Sequence, residues 1–201
     1  MRFIKLEILN LASLDRDGGE VIDFEEGALK ECTIFSIVGP TGSGKSTILD
    51  AICLALYGVA PRYPKLKGAR NQHIEIYGEK KDGENNRIAP TDCRNILTRG
   101  KKMGYSKLTF LANDGNVYRA EWHVVFKRSN FSNDNPHRLF RLVSHDGRHE
   151  EVEAQWDTLP QIIGLEYDQF LRTVLIAQGS FANFLTAGED ERYKLLEKLV
   201  G

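Results

Sequence analysis

A glycine-rich loop between an apolar run and an apolar helix constrains this chain more than any other feature. Residues 39–46 fill every fixed position of the pattern G-x-x-x-x-G-K-[ST], whose backbone N–H groups wrap around phosphate. Residues 33–38 are rich in β-branched side chains and predict a strand that ends at the loop. Residues 47–57 predict a helix that is apolar nearly all round and therefore buried. Strand, loop and helix stand in the order that a phosphate-binding loop requires.

The residue types in the loop suit a nucleoside triphosphate. Glycines let successive N–H groups turn toward the β-phosphate, and the N-terminus of the helix adds its positive dipole end. In this pattern Lys45 reaches the β- and γ-phosphates, and the Ser46 hydroxyl is placed to ligate Mg²⁺. We expect the nucleotide to be bound by the following residues: Gly39, Pro40, Thr41, Gly42, Ser43, Gly44, Lys45, Ser46 and Thr47.

Composition narrows the class of protein. A chain of 201 residues with 41% hydrophobic content suits one globular domain, or one large piece of a bigger protein. The formal charge is −1, so any DNA contact must come from local basic patches. We find no signal region and no stretch near the ~20 apolar residues of a membrane span, which predicts a cytoplasmic protein without membrane contact. Cys32, Cys53 and Cys93 are widely separated and indicate neither a disulfide framework nor a CxxC metal motif.

The rest of the chain predicts antiparallel β-structure followed by helices. Turn residues separate alternating runs at several places, which is typical of hairpins. The predicted hairpins are residues 2–9 with 20–24, residues 107–112 with 116–126 across Asn113-Asp114-Gly115, and a pair around Asp146-Gly147 that starts with residues 138–143. From Gln155 onward the apolar spacing is helical.

Proteins with a phosphate-binding loop normally have a carboxylate at the end of an apolar strand, which holds Mg²⁺ and polarises the attacking water. We find no such carboxylate after the loop in this sequence. The nearest candidate is Asp114, and the hairpin turn at Asn113-Asp114-Gly115 explains it better. The guanine-selecting N-K-x-D of GTPases does not occur. A self-contained phosphotransferase with a small acceptor stays open as an alternative, and so does a nucleotide-responsive binding module without catalysis.

Several stretches together resemble the ATPase subunits of SbcCD double-strand-break nucleases, relatives of the SMC group of ABC-type ATPases. They are residues 9–14, residues 39–58 with Pro61-Arg62, residues 173–185 and residues 189–201. The Leu-Tyr-Gly end of the helix and the Gln-Gly-x-Phe segment at 178–181 are specific to that family, and residues 65–149 match least. The resemblance implies an α/β fold, an ABC-type P-loop NTPase lobe with an antiparallel β subdomain and C-terminal helices leading toward a coiled coil. Residues 1–201 would form the N-terminal lobe of an ATPase head, with the coiled-coil helix starting at 188–201.

The resemblance also implies cofactors, site residues and partners. ATP and Mg²⁺ are the expected cofactors, Lys45 and Gln178 the catalytic residues, and Ser46 and Gln178 the metal contacts. The carboxylates, signature motif and switch histidine would lie in a C-terminal half of the same head, so this chain alone is expected to be inactive as an ATPase. Further expected partners are a second head, an SbcD-like nuclease subunit and double-stranded DNA. ATP binding and hydrolysis would drive dimerisation of the heads and regulate the nuclease.

Other polar and aromatic groups have simpler interpretations beside the functional ones. Three basic clusters have two interpretations: they bind DNA phosphates, or they are solvated side chains of surface loops. The clusters are Arg62 with Lys65, Lys67 and Arg70; Arg99 with Lys101 and Lys102; and Lys127 with Arg128. His145 and His149 are predicted to be solvent-facing hairpin residues and not a metal site, and Trp122 and Trp156 are predicted to lie in the core. By resemblance, Asn10 and Ser13 lie near the nucleotide.

Overall fold

The computed structural model of the chain describes residues 1–32, 34–62, 74–75, 87–88, 93–125, 137–145 and 148–174. The strands are β1 (Arg2–Leu9), β2 (Glu20–Asp23), β3 (Ile74–Glu75), β4 (Arg87–Ile88), β5 (Met103–Leu111), β6 (Val117–Val125), β7 (His137–His145) and β8 (Arg148–Glu153). The helices are α1 (Lys45–Tyr57), α2 (Leu159–Ile163) and α3 (Tyr167–Thr173), and short 3₁₀ turns lie at Gly27–Leu29, Cys93–Ile96 and Trp156–Thr158.

Six of these strands form one sheet in the order β2-β1-β5-β6-β7-β8. Every neighbouring pair in it is antiparallel. The strands β3 and β4 form a separate antiparallel pair. The antiparallel sheet that the alternating runs predict is therefore confirmed, and so is the α/β class.

The sheet has one buried face, as the alternation of its strands requires. In β5 and β6 every second side chain is buried, and the fully buried members include Leu108, Phe110, Ala120 and Trp122. The prediction that Trp122 is a core residue is confirmed. Trp156 packs partly buried against the same core.

Helix α1 packs on this face, against β5 and β6. Residues 51–56 of the helix are all buried, which confirms the predicted burial of the helix that follows the loop. The Ser106 hydroxyl on β5 donates a 2.7 Å hydrogen bond to the carbonyl oxygen of Ala51, so sheet and helix are also joined by a polar contact. The phosphate-binding loop is thus carried by a helix that rests on the centre of the sheet.

The strand pairs of the three predicted hairpins are present, β1 with β2, β5 with β6 and β7 with β8. In the second hairpin Leu111 pairs with Val117, and Gly115 has φ +83°, a left-handed conformation that glycine adopts at no steric cost. The Asp114 carboxylate accepts hydrogen bonds from the Asn116 N–H at 2.9 Å and the Tyr118 hydroxyl at 2.8 Å. Asp114 is therefore a turn residue, as the sequence indicates.

The strand predicted at 33–38 is wrong for the part that the structure describes. Residues 34–38 have no regular secondary structure. The Phe35 ring packs on Phe24 with a centroid distance of 5.4 Å, while Ile34 and Val38 are 88% and 84% exposed. A β-branched run becomes a strand only when neighbouring strands pair with it, and among the described residues none does.

Several predictions fall outside the described residues. These are Gln178, the coiled-coil start at 188–201, the basic residues Lys65, Lys67, Arg70, Lys127 and Arg128, and the turn at Asp146-Gly147. For the two histidines near that turn the backbone register is defined, with His145 opposite Arg148 and His149 opposite Ser144. In the part of the chain that is described, no helix has the length and apolarity needed to cross a bilayer.

Candidate nucleotide-binding site

The loop at 39–46 leads directly into α1, which begins at Lys45. The first helical hydrogen bond runs from the Ile48 N–H to the Gly44 carbonyl oxygen at 3.0 Å. The N–H groups of the first turn therefore have no acceptor within the helix, and they carry the positive end of its dipole. Since the loop glycines at 39 and 42 are exposed, a phosphate group can reach this helix end.

The Lys45 ammonium group lies in the mouth of the loop. It donates hydrogen bonds to the carbonyl oxygens of Gly39 at 2.8 Å and Pro40 at 2.7 Å. The Ser43 N–H donates to the same Pro40 carbonyl at 3.3 Å and closes a turn inside the loop. The cation is thus held where the phosphates of a nucleotide would arrive, on weak neutral acceptors that a phosphate oxygen can replace.

Two features require glycine at position 44, its backbone conformation and the close approach of a neighbouring side chain. Gly44 is the N-cap of α1, with φ +90° and ψ 1°, and a Cβ at this position would lie 2.6 Å from Leu14 Cδ2. The Ser13 Oγ lies 3.6 Å from the same Cβ position. The segment that follows β1 therefore packs directly against the loop. This fits the expectation that Ser13 lies near the nucleotide.

Asn10 holds that segment in place. Its backbone has φ +52°, and its side-chain amide donates to the carbonyl oxygen of Met103 at 2.9 Å. The Thr98 N–H in turn donates to the Asn10 carbonyl at 2.9 Å. Asn10 thus joins the end of β1 to the start of β5 and to the turn before it, and it acts on the loop through the chain that follows it.

An ion pair between a buried carboxylate and a partly exposed arginine supports the first two turns of α1. The Asp50 carboxylate is paired with the Arg62 guanidinium through Oδ2 and Nε, and it also accepts the Arg62 backbone N–H at 3.1 Å. The same guanidinium donates to the Thr47 hydroxyl at 2.9 Å. Thr47 and Asp50 are 2% and 1% exposed, so this polar network is closed to solvent on the helix side.

Burial dominates the titration of Asp50. Desolvation raises the pKa of its carboxyl above the usual range, although the nearby Arg62 charge and hydrogen bonds act in the opposite direction. Arg62 is therefore committed to an ion pair, although its side chain is still 31% exposed. Of the described residues in the three basic clusters considered for DNA, Arg62, Arg99 and Lys102 are all exposed, and Arg62 alone is held by Asp50.

The residues present fit Mg²⁺ bound together with a nucleotide. Ser46 is exposed beside Lys45 at the helix N-terminus, where a hydroxyl can ligate a cation that phosphates also hold. Among the described residues there is no group of three or more His, Cys, Asp or Glu side chains able to hold a metal. Mg²⁺ is commonly bound by few protein ligands together with substrate phosphates.

Sequence reasoning found the loop but missed its support. Residues 39–47 form one loop that runs into the start of α1. Their contact with a nucleotide stays a prediction, and Gln178 lies outside the described residues. The sequence does contain a signal for the ion pair between Asp50 and Arg62, because an acidic residue on a buried apolar helix needs a charged or hydrogen-bonding partner. The packing of Leu14 against Gly44 had no local signal, because it joins distant parts of the chain.

A phosphate-binding loop at the N-terminus of a helix that is buried on a sheet defines a P-loop nucleotide-binding domain. The family model described as "AAA domain" matches residues 5–201. The chain therefore belongs to the AAA domain family.

Curated relatives are more specific. The chain is 37% identical to the SbcC subunit of nuclease SbcCD from Pseudomonas aeruginosa, over 99% of its own length and 16% of that protein. It is 37% identical to the SbcC protein of Rhodobacter capsulatus, over 100% of the chain and 16% of that protein. It is 32% identical to the "Probable DNA double-strand break repair Rad50 ATPase" of Aquifex aeolicus, over 100% of the chain and 17% of that protein.

These matches confirm the resemblance to SbcCD ATPase subunits. The chain spans about one sixth of the length of the curated relatives it matches. A solved structure described as "Structural biochemistry of ATP-driven dimerization and DNA stimulated activation of SMC ATPases" superposes with a TM-score of 0.52 at 20% identity, covering 99% of both chains. At that identity the likeness confirms the fold alone.

Proposed function

We propose that this chain is the ATP-binding lobe of an SMC-like ABC ATPase head that works in a DNA double-strand-break repair nuclease complex. The observation that carries the proposal is the placement of Lys45 and Ser46 at the open N-terminus of α1, inside a complete phosphate-binding loop. The similarity to SbcC proteins over nearly the whole chain supports the choice of this class among P-loop proteins.

The chemistry follows from the loop. The residues at 39–47 would hold the phosphates, with Lys45 exchanging the carbonyls of Gly39 and Pro40 for β- and γ-phosphate oxygens. Ser46 would hold Mg²⁺, which when bound neutralises phosphate charge. Gln178 would contact the metal and orient the attacking water. Thr47 would be kept in place by Arg62 from beneath.

A second segment would complete the head. The run at 34–38 has the composition of a strand, and its Ile34 and Val38 side chains stand in solvent. Exposed apolar side chains of this size are typical of a surface that another element covers. We propose that the C-terminal half of the same head supplies the neighbouring strands and, with them, the catalytic carboxylate. Residues 1–201 would then form one lobe, and residues 188–201 would start the coiled-coil helix.

The remaining partners follow from the relatives. Two heads would pair around ATP, so that binding and hydrolysis switch the pair between an open and a closed state. An SbcD-like nuclease subunit would respond to this switch, and double-stranded DNA would pass across the heads. The cytoplasmic location stays a prediction.

Turnover of ATP, with Mg²⁺ present, tests the proposal. The chain would be assayed alone, then mixed with the C-terminal half of the same head, and DNA would be added last. We expect little activity from the chain alone and activity on mixing. Lys45→Ala should abolish nucleotide binding, and Gln178→Ala should leave binding intact but lower turnover in the completed head.

The same assay separates the alternative functions. Equal activity from the chain alone, increased by a small acceptor, would identify a self-contained phosphotransferase and contradict the lobe. Nucleotide binding without turnover after mixing would indicate a binding module. The relatives favour the ATPase over both.

A further inference from the structure

The end of α1 that lies away from the loop is held by side chains from later parts of the chain. Arg138 on β7 donates a 3.3 Å hydrogen bond to the carbonyl oxygen of Leu56, and its guanidinium stacks 3.7 Å from the centroid of Trp156. The helix ends at Gly58, whose φ of 70° is left-handed and whose N–H donates to the Leu54 carbonyl at 2.9 Å. The phosphate-binding helix is therefore fixed at both ends.

Tyr57, the last residue of α1, makes the contact with the helices that follow the sheet. Its hydroxyl donates to the carbonyl oxygen of Leu165, between α2 and α3, at 3.0 Å. Its ring packs on Tyr167 and Phe170 of α3, with centroid distances of 5.4 Å and 5.3 Å. Burial raises the pKa of the Tyr57 hydroxyl, so it remains a donor at neutral pH.

Helix α3 depends on such contacts for its position. It has 7 residues, which is too short for a stable helix in water without tertiary packing. A capping box between Glu166 and Gln169 fixes its first turn, and Phe170 is fully buried beside Tyr57. The side chain of Tyr57 thus sets where α3 lies relative to the helix that carries the loop.

We propose that Tyr57 is a positioning residue for nucleotide turnover. This inference rests on the proposed function. Tyr57 lies at the far end of α1 from the phosphates and touches no part of the loop; it acts by tying α3 to the phosphate-binding helix. Gln178 follows α3 in the sequence. The last described residue before it, Val174, is held at the end of α3 by a hydrogen bond from its N–H to the Phe170 carbonyl oxygen at 2.9 Å.

The test uses the full-length protein that carries this chain, with Tyr57→Phe and Tyr57→Leu. The first variant removes the hydrogen bond to Leu165, and the second also removes the ring contacts with α3. A fluorescent ATP analogue measures nucleotide affinity, and steady-state assays measure kcat and KM. We expect affinity and KM to stay within about twofold, while kcat falls about fivefold for Tyr57→Phe and on the order of tenfold or more for Tyr57→Leu.

Tyr118→Phe is the matched control. It also removes one hydroxyl hydrogen bond, the one to Asp114 in the turn between β5 and β6, and it should leave kcat unchanged. An equal fall in kcat for Tyr118→Phe, or an unchanged kcat for Tyr57→Phe and Tyr57→Leu, would overturn the inference. So would a loss of nucleotide affinity that parallels the loss of turnover, because Tyr57 would then only support the fold.

A double variant shows whether Tyr57 acts through the segment of Gln178. If it does, Tyr57→Leu combined with Gln178→Ala turns over no more slowly than Gln178→Ala alone. If the losses of turnover from the two substitutions multiply instead, Tyr57 does not act through the segment of Gln178. Failure of the proposed function gives a different result. The unchanged protein and Lys45→Ala would then bind the ATP analogue equally well, and the inference about Tyr57 would fail together with the proposed function.

Discussion

Asp50 has its carboxylate buried on the phosphate-binding helix, and the Arg62 guanidinium pairs with it. Removing the arginine leaves the buried carboxylate without its charge partner, at a cost of about 2 kcal/mol, below the ~3 kcal/mol or more of a fully buried pair because the Arg62 side chain is 31% exposed. We therefore expect Arg62→Ala to lower the free energy of unfolding by about this amount at pH 7, as measured by urea denaturation. Arg16→Ala is the control, because Arg16 is 75% exposed and pairs with Glu20 at 3.8 Å, where the expected change is below about 0.5 kcal/mol.

The sign of the pH dependence follows from the raised pKa of Asp50. A carboxyl whose folded pKa exceeds its unfolded value stabilises the fold below the unfolded pKa, and that contribution is lost as pH rises through the folded value. Arg62→Ala removes the charge that opposes this shift. The variant should thus lose more stability than the parent as pH rises from 4 to 7, and Asp50→Asn in the same background should abolish the extra loss. A pH-independent difference would contradict this account.

Glu121, on the other face of the sheet, has a lowered pKa, the opposite of the shift at Asp50. The hydrogen bond with His123 at 2.6 Å contributes most to lowering the pKa of Glu121, and the charges of Lys107 and Arg119 act in the same direction against burial. The stability that it contributes is present above its unfolded pKa near 4.5 and is lost as pH falls through the lower folded value. Glu121→Gln should therefore unfold with less dependence on pH below 4.5.

Thermal unfolding between pH 5 and pH 3 measures this difference. At pH 7 Glu121→Gln should cost about 2 kcal/mol, the typical contribution of hydrogen bonds to a charged group. Glu7→Gln on β1 is the control, since the ion pair of Glu7 with Lys5 is long, at 3.8 Å, and the two side chains are 30% and 41% exposed. The interpretation fails if Glu121→Gln keeps the acid sensitivity of the parent.

At the scale of elements, the junction between the loop and α1 depends on two glycines with different surroundings. Gly42 and Gly44 both have positive φ, +84° and +90°, but only Gly44 has a neighbour where a Cβ would stand, Leu14 Cδ2 at 2.6 Å. Alanine at either position costs about 1–2 kcal/mol of backbone strain. Gly44→Ala should cost more, because the Leu14 side chain must also move away from the added methyl group.

Nucleotide affinity and unfolding free energy should both show this difference. We expect Gly44→Ala to bind the fluorescent ATP analogue at least about tenfold more weakly than Gly42→Ala, in line with a further ~1.4 kcal/mol. Adding Leu14→Ala removes the steric clash and should restore part of the loss in Gly44→Ala but none in Gly42→Ala. Equal behaviour of the two glycine variants would show that Leu14 is unimportant for the loop.

The elements that the sequence predicts correctly are those whose signals are local. The turn at Asn113-Asp114-Gly115 and the alternation beside it specify a hairpin without any distant partner, and the loop pattern with its apolar run specifies the buried helix α1 that begins at Lys45. The strand at 34–38 fails because a strand needs neighbours that a local pattern does not contain. The contacts of Tyr57 with α3 and of Leu14 with Gly44 likewise join residues far apart in sequence.

At the scale of the whole molecule, the buried face of the sheet and α1 form a closed core, and the run at 34–38 stands outside it. The Phe35 ring on Phe24 anchors the run, and Ile34 and Val38 point away with 88% and 84% exposure. The proposal that the C-terminal half of the same head covers these side chains therefore has a direct test.

Serine substitutions at Ile34 and Val38 separate a partner surface from a merely exposed loop. In the lone chain each should change the unfolding free energy by less than about 0.5 kcal/mol, because the side chains are already in water. In the completed head each buried aliphatic group contributes about 1.5–3 kcal/mol, so each substitution should weaken association with the C-terminal half by about tenfold or more. Val21→Ser is the control, since Val21 is an apolar residue that is 57% exposed on β2 and does not belong to the run. Association that is equally strong for all variants, measured by titration calorimetry, would show that the run at 34–38 is not where the two halves meet.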